Sequence, residues 1–321
     1  MNKIHEKSPC CDAQIRLFGA RRRQCILCKK TWRVWKKKRG RKQTRLNMKS
    51  LFSYFDGKLH SKFKKGAFSA RLRSLLHKFN CEEPWPEVPT GPLIVIADAL
   101  IQFFNGEKYT VYFILVRRVD DLQAFILPPY MRAGGEVVLG WQEAFENIPR
   151  DIFDRIGALV CDGHTGLVYL AKRHNWLLQR CQFHLLANLE HFTSCSPLNQ
   201  TYGLGIRIKN LVRVVLYHTD MTAVHLALDA LWKIKNTTKS DHLKSVVSGF
   251  VKHFEDFRTY INYPQYFLPT TSNSAEFLNS LIRNLQYRAK GFRTPQSFFT
   301  WITGLCKYKR SVTCRGKNQP N

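Results

Sequence analysis

Three carboxylates stand where an acidic side chain is hard to explain as ordinary protein surface. Asp98 interrupts the apolar run 93–101, and Asp162 ends a second apolar run, 156–161. Glu276 opens a helical pattern that follows a short polar stretch. A charged carboxylate inside an apolar strand is costly unless a cation or a proton neutralises it. Mg²⁺ takes oxygen ligands and the formal charge of this chain is +28, so the three residues predict a metal site that cuts or joins nucleic acid.

Each carboxylate also has an ordinary structural explanation, which the sequence alone leaves open. Asp98 could pair with one of the many arginines, and Asp162 precedes Gly163 in a dipeptide that is common in turns. Glu276 has the strongest competitor, because Asn273 lies three residues before it with the spacing of a capping box. Glu276 could therefore cap the helix, bind metal, or do both.

A cysteine and a histidine, Cys181 and His184, follow the fifth predicted strand with two residues between them. From the residues alone they have three interpretations: a buried thiol beside a packing imidazole, half of a metal site, or a pair that positions the carboxylates. A cysteine hydrolase is not favoured, because such an enzyme would not explain the strong basicity of the chain.

The N-terminal segment contains a candidate zinc site made of Cys10, Cys11, Cys25 and Cys28. The two-residue gap between Cys25 and Cys28 lets both thiolates face one tetrahedral Zn²⁺ on a tight turn. The other half is irregular, since Ser8 takes the first position of the second Cys-x-x-Cys. Cys11 would supply a third ligand, and either Cys10 or His5 the fourth. A ribbon fold without metal, or a set of free thiols, is the alternative.

Most of the positive charge belongs to the N-terminal quarter of the chain. Residues 1–80 hold 24 Lys and Arg against 3 Asp and Glu, whereas the rest of the chain holds 27 against 20. This distribution is typical of an arm that binds a polyanion, so we expect nucleic acid as the partner. The basic residues of this arm that we expect to contact DNA are Arg21, Arg22, Arg23, Lys36, Lys37, Lys38, Arg39 and Arg41.

The hydropathy of the chain argues against a membrane protein. The sequence has no uncharged apolar run of about 18 residues, the length that a membrane-spanning helix needs. Residues 1–7 lack the apolar stretch of a signal peptide. We therefore expect an intracellular protein whose ten cysteines are metal ligands and buried thiols rather than disulfides.

The periodicity of residues 93–310 predicts an α/β domain. The predicted strands are 93–101, 109–117, 123–127, 156–161 and 176–182. The predicted helices are 140–149, 166–174, 273–287 and 295–306. Asn105 and Gly106 favour a hairpin between the first two strands. Three antiparallel strands followed by alternating helix and strand predict an RNase H-like α/β core.

Shifts in composition divide the chain into five predicted parts. A zinc-ribbon-like module in 1–35 is followed by a basic linker with a small helix-turn-helix in 36–83 and a proline-rich linker in 84–92. The catalytic domain spans 93–310 with a helical insertion at 185–262, and a basic tail follows at 311–321. The main boundary is placed at 84–92 because its four prolines can continue neither a helix nor a central strand.

Between residues 92 and 302 the order of motifs resembles the Mutator-type DDE transposases of bacterial insertion sequences. The matching blocks are IADA at 96–99, VCDGHTGL at 160–167, QRCQFH at 179–184, TSNSAEFLN at 271–279 and RAKGF at 288–292. The Asp-Gly, Cys-x-x-His and Asn-x-x-Glu blocks in this order, with a helical insert before the glutamate, carry the resemblance. The sequence departs from the family at Ser8 in the ribbon and at Ser272-Asn273-Ser274, where Thr-Asn-Asn is expected.

The resemblance implies an RNase H-like fold with Asp98, Asp162 and Glu276 as a DDE triad, and with Cys181 and His184 as its accessory motif. It implies two Mg²⁺ or Mn²⁺ ions at the triad, bridged by Asp98. One structural Zn²⁺ in the ribbon is expected from the cysteine spacing alone, and the departure at Ser8 leaves it open. The implied reaction binds the terminal inverted repeats of an element, frees a 3′-OH at each end and joins it to target DNA.

The same resemblance implies how the DNA is held and where the protein works. The cations expected to contact phosphates near the triad are Arg283, Arg288, Lys290 and Arg293. Synapsis of two element ends implies a dimer or a higher oligomer, and the setting would be the cytoplasm of a bacterium, at the nucleoid. Two alternatives remain: an inactive, transposase-derived DNA-binding regulator, and a nuclease of the same fold that hydrolyses DNA without joining it.

Overall fold

The N-terminal unit, Met1–Arg45, contains a small antiparallel sheet. Its strands are β1 (Ile15–Leu17), β2 (Arg22–Cys25) and β3 (Thr31–Arg33), with β2 in the middle. The structure is a computed structural model, and it describes residues 7–19, 22–33, 46–58, 65–193 and 202–313. The zinc-ribbon-like module was predicted in this part of the chain.

The second unit, Leu46–Asn321, is built on a mixed seven-stranded sheet that follows two helices. The helices are α1 (Met48–Phe55) and α2 (Lys65–Glu82). The strands are β4 (Leu93–Phe104), β5 (Glu107–Arg118), β6 (Gln123–Ile126), β7 (Tyr130–Ala133), β8 (Ile156–Cys161), β9 (Leu177–Arg180) and β10 (Ser311–Thr313). Their order is β10-β6-β5-β4-β8-β9, and β7 pairs with β5.

The strand directions make the sheet mixed and confirm the α/β class. β4 and β5 pair antiparallel over their whole lengths through a hairpin at Asn105 and Gly106, whose φ angles are +50° and +87°. Asparagine and glycine tolerate this left-handed backbone, so the dipeptide fixes the turn as predicted. β8 and β9 are parallel to β4, because the chain crosses over through helices between these strands.

Helices cover both faces of the sheet. On one face lie α3 (Val138–Glu146), α4 (Arg150–Phe153) and α5 (Thr165–Arg173), and on the other lie α11 (Asn273–Ala289) and α12 (Pro295–Lys309). β4 separates the two cores because alternate side chains of a strand face opposite sides. Val95 and Ala97 pack with α3 and α5, whereas Ile94 and Ile96 pack with α11 and α12.

The predicted helical insertion forms a third apolar core of its own. It consists of α6 (Gln182–Thr193), α7 (Tyr202–Tyr217), α8 (Met221–Thr237), α9 (Asp241–Lys252), a 3-10 turn (Phe254–Phe257) and α10 (Thr259–Asn262). No strand occurs among the residues that the structure describes between 182 and 262. Leu189, Val212, Leu231 and Val247 are buried together in this core.

The helices predicted as a separate helix-turn-helix belong to the second unit. Leu51 on α1 and Leu76 on α2 are buried in the same core as α12. Asn80 donates from Nδ2 to the carbonyl of Thr300 at 2.9 Å, and Lys307 donates from Nζ to the carbonyl of Asn80 at 2.6 Å. The division between units therefore falls at Arg45–Leu46 and not at 84–92, because the apolar faces of α1 and α2 are covered by α12.

Two short strands were not predicted from the sequence. β7 adds to β5, and β10 pairs with β6 at residues that were assigned to the basic tail 311–321. Both strands have only three or four residues and lack a clear alternation, so their pairing comes from neighbouring strands that offer free backbone groups. Residues 314–321 lie outside the described residues.

Candidate active site

Asp98 lies on β4 and faces the side of the sheet that α11 covers. It follows Ile96 by two residues, so it has the same orientation in the strand. The half-buried carboxylate accepts the Ala99 N–H at Oδ1, at 2.9 Å, and Nδ2–H of Asn279 at Oδ2, at 2.8 Å. Among the described residues, no lysine or arginine forms an ion pair with Asp98, and burial and the charge of Glu276 have the largest effects on its pKa. The structure therefore gives no support to the alternative of an arginine partner.

β8 brings Asp162 to the level of Asp98. The parallel pairing of β4 with β8 ends two residues before each carboxylate. Paired strands lie about 4.8 Å apart, so Asp162, which directly follows β8, lies beside Asp98 within β4. Asp162 also forms the turn that its sequence predicts: Oδ1 accepts the N–H of His164 at 2.8 Å, and Gly163 has a φ of +98°. Asp162 therefore both forms the predicted turn and lies beside Asp98.

Glu276 lies in the first turn of α11, but the capping box considered for it is wrong. The N-cap is Ser272 and not Asn273, and the Ser272 side chain makes no capping hydrogen bond. The carboxylate instead contacts His184, with 2.8 Å between Oε1 and Nε2. Among the described residues, the contact of the Glu276 carboxylate is therefore with His184 and not with the backbone at the start of the helix.

Cys181 and His184 support Glu276 from the start of α6. The thiol of Cys181 is buried, and its sulfur accepts the N–H and the hydroxyl of Ser272, both at 3.2 Å. Burial opposes ionisation, but His184 and Ser272 outweigh it and lower the pKa of Cys181. Cys181 and then Glu276 raise the pKa of His184 to about 11. Nδ1 of His184 makes no hydrogen bond of normal geometry, so the thiol acts on the ring through proximity and charge. This arrangement fits a positioning pair.

The electrostatics of the site favour a bound cation. Burial, followed by the charge of Glu276, raises the pKa of Asp98 to about 7, and Asp162 acts in the same direction. The hydrogen bond from His184 lowers the pKa of Glu276. Carboxylates that destabilise one another's charge are stabilised by a divalent cation, and Mg²⁺ prefers oxygen ligands. The donor set therefore fits hard divalent metal ions.

The three carboxylates are less tightly grouped than the cysteines of the N-terminal unit. Among the described residues, four cysteines form the group of candidate metal ligands whose ligand atoms all lie within 4.8 Å of one another, and the three carboxylates are not in such a group.

Asn279 is a site residue that the sequence reasoning did not single out. It follows Glu276 by three residues and so lies on the same face of α11. It is only 3% exposed, and its amide donates to Asp98. The signal in the sequence is a polar residue on an apolar helix face, beside the buried Leu278 and Ile282. A polar side chain in that position needs a partner, and the partner is a catalytic candidate.

The four basic residues predicted to contact DNA phosphates near Glu276 differ in their exposure to solvent. Arg283, Lys290 and Arg293 are exposed. Arg288 is half-buried, and its Nη2 donates to the carbonyl of Phe55 at 3.0 Å while its Nε is buried. Arg288 therefore links α11 to α1 through a hydrogen bond. The sequence had predicted that its guanidinium group would contact a DNA phosphate.

Part of the predicted DNA-binding arm can be placed. Arg22 is exposed and Arg23 is half-buried on β2, where Nη1 of Arg23 donates to the carbonyl of Arg22 at 3.2 Å. The other residues predicted for this arm lie outside the described residues: Arg21, Lys36, Lys37, Lys38, Arg39 and Arg41.

The N-terminal unit brings its four cysteines together. The sulfur atoms of Cys10, Cys11, Cys25 and Cys28 all lie within 4.8 Å of one another. The contact with Cys28 raises the pKa of Cys10 and raises the pKa of Cys11 to about 12. Thiols packed this closely resist deprotonation unless a cation shares their charge. They form a group that could hold Zn²⁺, and Cys10 belongs to it; His5 lies outside the described residues.

Two turns with the same hydrogen-bond pattern present these cysteines. In the first turn the N–H of Ser8 donates to the carbonyl of Ala13, and the carbonyl of Ser8 accepts the N–H of Asp12. In the second turn Cys25 makes the same two hydrogen bonds with Lys30 and Lys29. The first residues are Ser8 and Cys25, so Ser8 occupies the place of a first cysteine. The Ser8 hydroxyl donates to the sulfur of Cys25 at 3.2 Å and lowers the pKa of that thiol to about 6.

Comparison with known protein families adds to this geometry. A family model described as Transposase, Mutator family, matches residues 126–309. The matched segment contains Asp162, Cys181, His184 and Glu276, and Asp98 precedes it. No curated protein matches the chain. Among the described residues, no helix is long and apolar enough to cross a membrane.

Proposed function

Because the chain belongs to the Mutator family of transposases, we propose that it cuts and joins DNA with Asp98, Asp162 and Glu276 as its catalytic triad. One observation carries this proposal. The charges of Glu276 and Asp162 both act on the buried Asp98, although the three residues are far apart in the sequence. Membership of the family implies DNA as the partner, and the triad supplies the chemistry.

The sheet supports an RNase H-like catalytic core. Five strands stand in the order β6-β5-β4-β8-β9, with β5 antiparallel to β4 and with β8 and β9 parallel to it. This order is consistent with Asp98 on the central strand, Asp162 after its parallel neighbour and Glu276 on the covering helix acting together, since the charges of the last two act on Asp98. The helical insertion lies between the second and third of these residues in the sequence.

The protein residues of the site have separate tasks. Asp98, Asp162 and Glu276 would hold two Mg²⁺ or Mn²⁺ ions. When bound, such ions would supply an activated water and stabilise the attacking and leaving oxygens of an in-line displacement. His184 contacts Oε1 of Glu276 and so would orient this carboxylate. Cys181 keeps His184 charged and in place.

The reaction proceeds in two displacements at phosphorus. Water forms a bond to the phosphorus at the element end, the P–O3′ bond breaks, and the departing oxygen takes a proton to become a 3′-OH. That hydroxyl then loses its proton and attacks a target phosphodiester, whose own 3′ oxygen leaves. Neither step needs a covalent bond to the enzyme, because the site contains ligands for cations and positioning groups.

Basic residues supply the affinity for DNA. Arg283, Lys290 and Arg293 are exposed on or beyond the helix of Glu276, where they would contact phosphates of the DNA. The N-terminal arm, with a Zn²⁺ in the cysteine group, would recognise the terminal inverted repeats. The active species would be a dimer or larger at the bacterial nucleoid, since two ends must be held together.

Asp98→Asn and Glu276→Gln test the proposal with labelled element ends, target DNA and Mg²⁺. We expect both variants to bind the ends and to lose cleavage and strand transfer. Asp241→Asn is the matched control, because its side chain is 95% exposed at the start of α9, away from the triad. Joining at near-normal rates by either triad variant would refute the assignment.

The same assay separates the two alternatives. An inactive regulator derived from a transposase would shift the DNA without nicking it, even in the unaltered protein. A nuclease of this fold would nick the ends in a triad-dependent way but would yield no joined product. A joined product that disappears with Asp98→Asn excludes both.

A further inference from the structure

Asn279 holds the central carboxylate of the site in one orientation. Its Nδ2 donates to Oδ2 of Asp98 at 2.8 Å, while the N–H of Ala99 donates to Oδ1 at 2.9 Å. Each carboxylate oxygen therefore receives one hydrogen bond from the protein. A carboxylate oxygen has two lone pairs, so one lone pair remains on each oxygen.

This pattern leaves Asp98 with two acceptor positions, one per oxygen, as a carboxylate shared between two cations requires. We propose that Asn279 is a positioning residue for divalent metal binding: it fixes the rotation of the Asp98 carboxylate so that each oxygen offers its free lone pair to a different ion. The inference rests on the proposed function and adds a residue to it. Hydrogen-bonded partners of metal ligands orient those ligands and increase their affinity.

The burial of Asn279 supports this role. The side chain is 3% exposed, and among the residues that the structure describes its buried Oδ1 has no hydrogen-bond partner. A buried amide oxygen without a partner costs free energy, so a leucine would suit this apolar helix face better if only packing mattered. The unpartnered Oδ1 is adjacent to the amide nitrogen that binds Asp98, and a water in the shell of a bound cation would be a suitable donor to it.

The same helix and strand offer an internal control. Gln286 on α11 donates from Nε2 to Oε1 of Gln102 on β4 at 2.7 Å. This contact joins the same two elements through the same type of amide donor, but its acceptor is neutral and lies four residues beyond Asp98. Removing it therefore perturbs the packing of α11 on β4 without altering a carboxylate of the site.

The test measures binding of Mn²⁺ to the full-length protein by electron paramagnetic resonance, without DNA. Asn279→Leu keeps the number and branching of the side-chain heavy atoms and removes the donor, and Asn279→Ala removes the donor without adding bulk. We expect both to weaken Mn²⁺ binding by about tenfold or more, the usual effect of losing a partner of a metal ligand. Gln286→Ala should bind Mn²⁺ like the unaltered protein.

A second measurement distinguishes positioning from general damage. Cleavage of element ends is followed against Mg²⁺ concentration, and thermal unfolding verifies that each variant is folded. We expect the Asn279 variants to need more Mg²⁺ for half-maximal cleavage and to recover activity at high Mg²⁺, whereas Glu276→Gln should not recover. End binding without metal should be unchanged in all variants.

The outcomes separate this inference from the proposed function. Unchanged Mn²⁺ affinity in the folded Asn279 variants, or equal weakening in Gln286→Ala, would overturn the positioning role. Variants that fail to fold would also overturn it, because the residue would then be structural. If the unaltered protein binds Mn²⁺ but neither nicks nor joins DNA, the proposed function fails, and the comparison of Mn²⁺ affinities still decides the role of Asn279.

Discussion

Replacing Asp98 by asparagine should stabilise the metal-free protein while abolishing its activity. Burial and the charges of Glu276 and Asp162 raise the pKa of Asp98 from its ordinary 3.8 to about 7. A carboxyl group with a raised pKa binds more protons in the folded chain than in the unfolded chain between these two values. The free energy of unfolding therefore falls as pH rises from about 4 to about 7.

The size of the effect follows from the shift. One pKa unit corresponds to about 1.4 kcal/mol, so the shift of Asp98 costs the folded state at most about 4 kcal/mol above pH 7. Solvent and relaxation reduce this figure, and we expect Asp98→Asn to gain about 2–4 kcal/mol at pH 8. At pH 5 only about a third of that gain should remain, because most of the window lies above this pH.

The assay is chemical denaturation of the two proteins with a chelator at pH 5 and at pH 8. Excess Mg²⁺ at pH 8 should largely cancel their difference, since ligand at a hundredfold its Kd stabilises the unaltered protein by about 2.7 kcal/mol and the variant has lost a ligand. Asp241→Asn, at an exposed position, should leave the denaturation curves at pH 5 and at pH 8 unchanged. A stability difference that does not depend on pH, or a variant less stable than the unaltered protein at pH 8, would refute the reasoning.

Three further predictions concern the rest of the chain. Cys28→Ser should lose the zinc that a chelator releases from the unaltered protein and should weaken binding of element ends; zinc-free unaltered protein that binds normally would contradict this. Leu76→Ala should lower the free energy of unfolding of the second unit by about 2–5 kcal/mol, because the side chain is 1% exposed, whereas Leu226→Ala, at 67% exposed, should not. An unchanged unfolding midpoint for Leu76→Ala would mean that α2 folds independently. Gly163→Ala should reduce cleavage and cost roughly 1–3 kcal/mol, because its φ is +98°, whereas Gly203→Ala, in open helix, should be neutral or stabilising on thermal unfolding.

The sequence predicted the strands and helices that carry the triad because their signals are local. The apolar run around Asp98 gives a buried strand, and Asn105 with Gly106 gives its hairpin. The amphipathic pattern after Glu276 gives α11 nearly to its end. Backbone preferences and hydrophobic periodicity act over a few residues, so they can be inferred without knowing what each element packs against.

Where the sequence left two explanations open for one residue, the tertiary structure was needed to choose between them. The capping box at Asn273 and the metal role of Glu276 are equally compatible with the sequence, and the structure removes the first because Ser272 is the N-cap. Similarly, Arg288 has the charge of a DNA contact but donates to the backbone of α1. Local propensity differences are small, so contacts with distant residues decide between them.

The sequence by itself determined the class of the chain: a basic α/β protein with isolated carboxylates at strand ends and paired cysteines near its start. Only the tertiary structure decided that α1 and α2 pack on α12, that His184 bonds Glu276, and that Asn279 bonds Asp98. The last of these contacts joins residues 181 positions apart. Such contacts depend on how sheet and helices pack together, and packing is a property of the whole chain that short-range patterns do not contain.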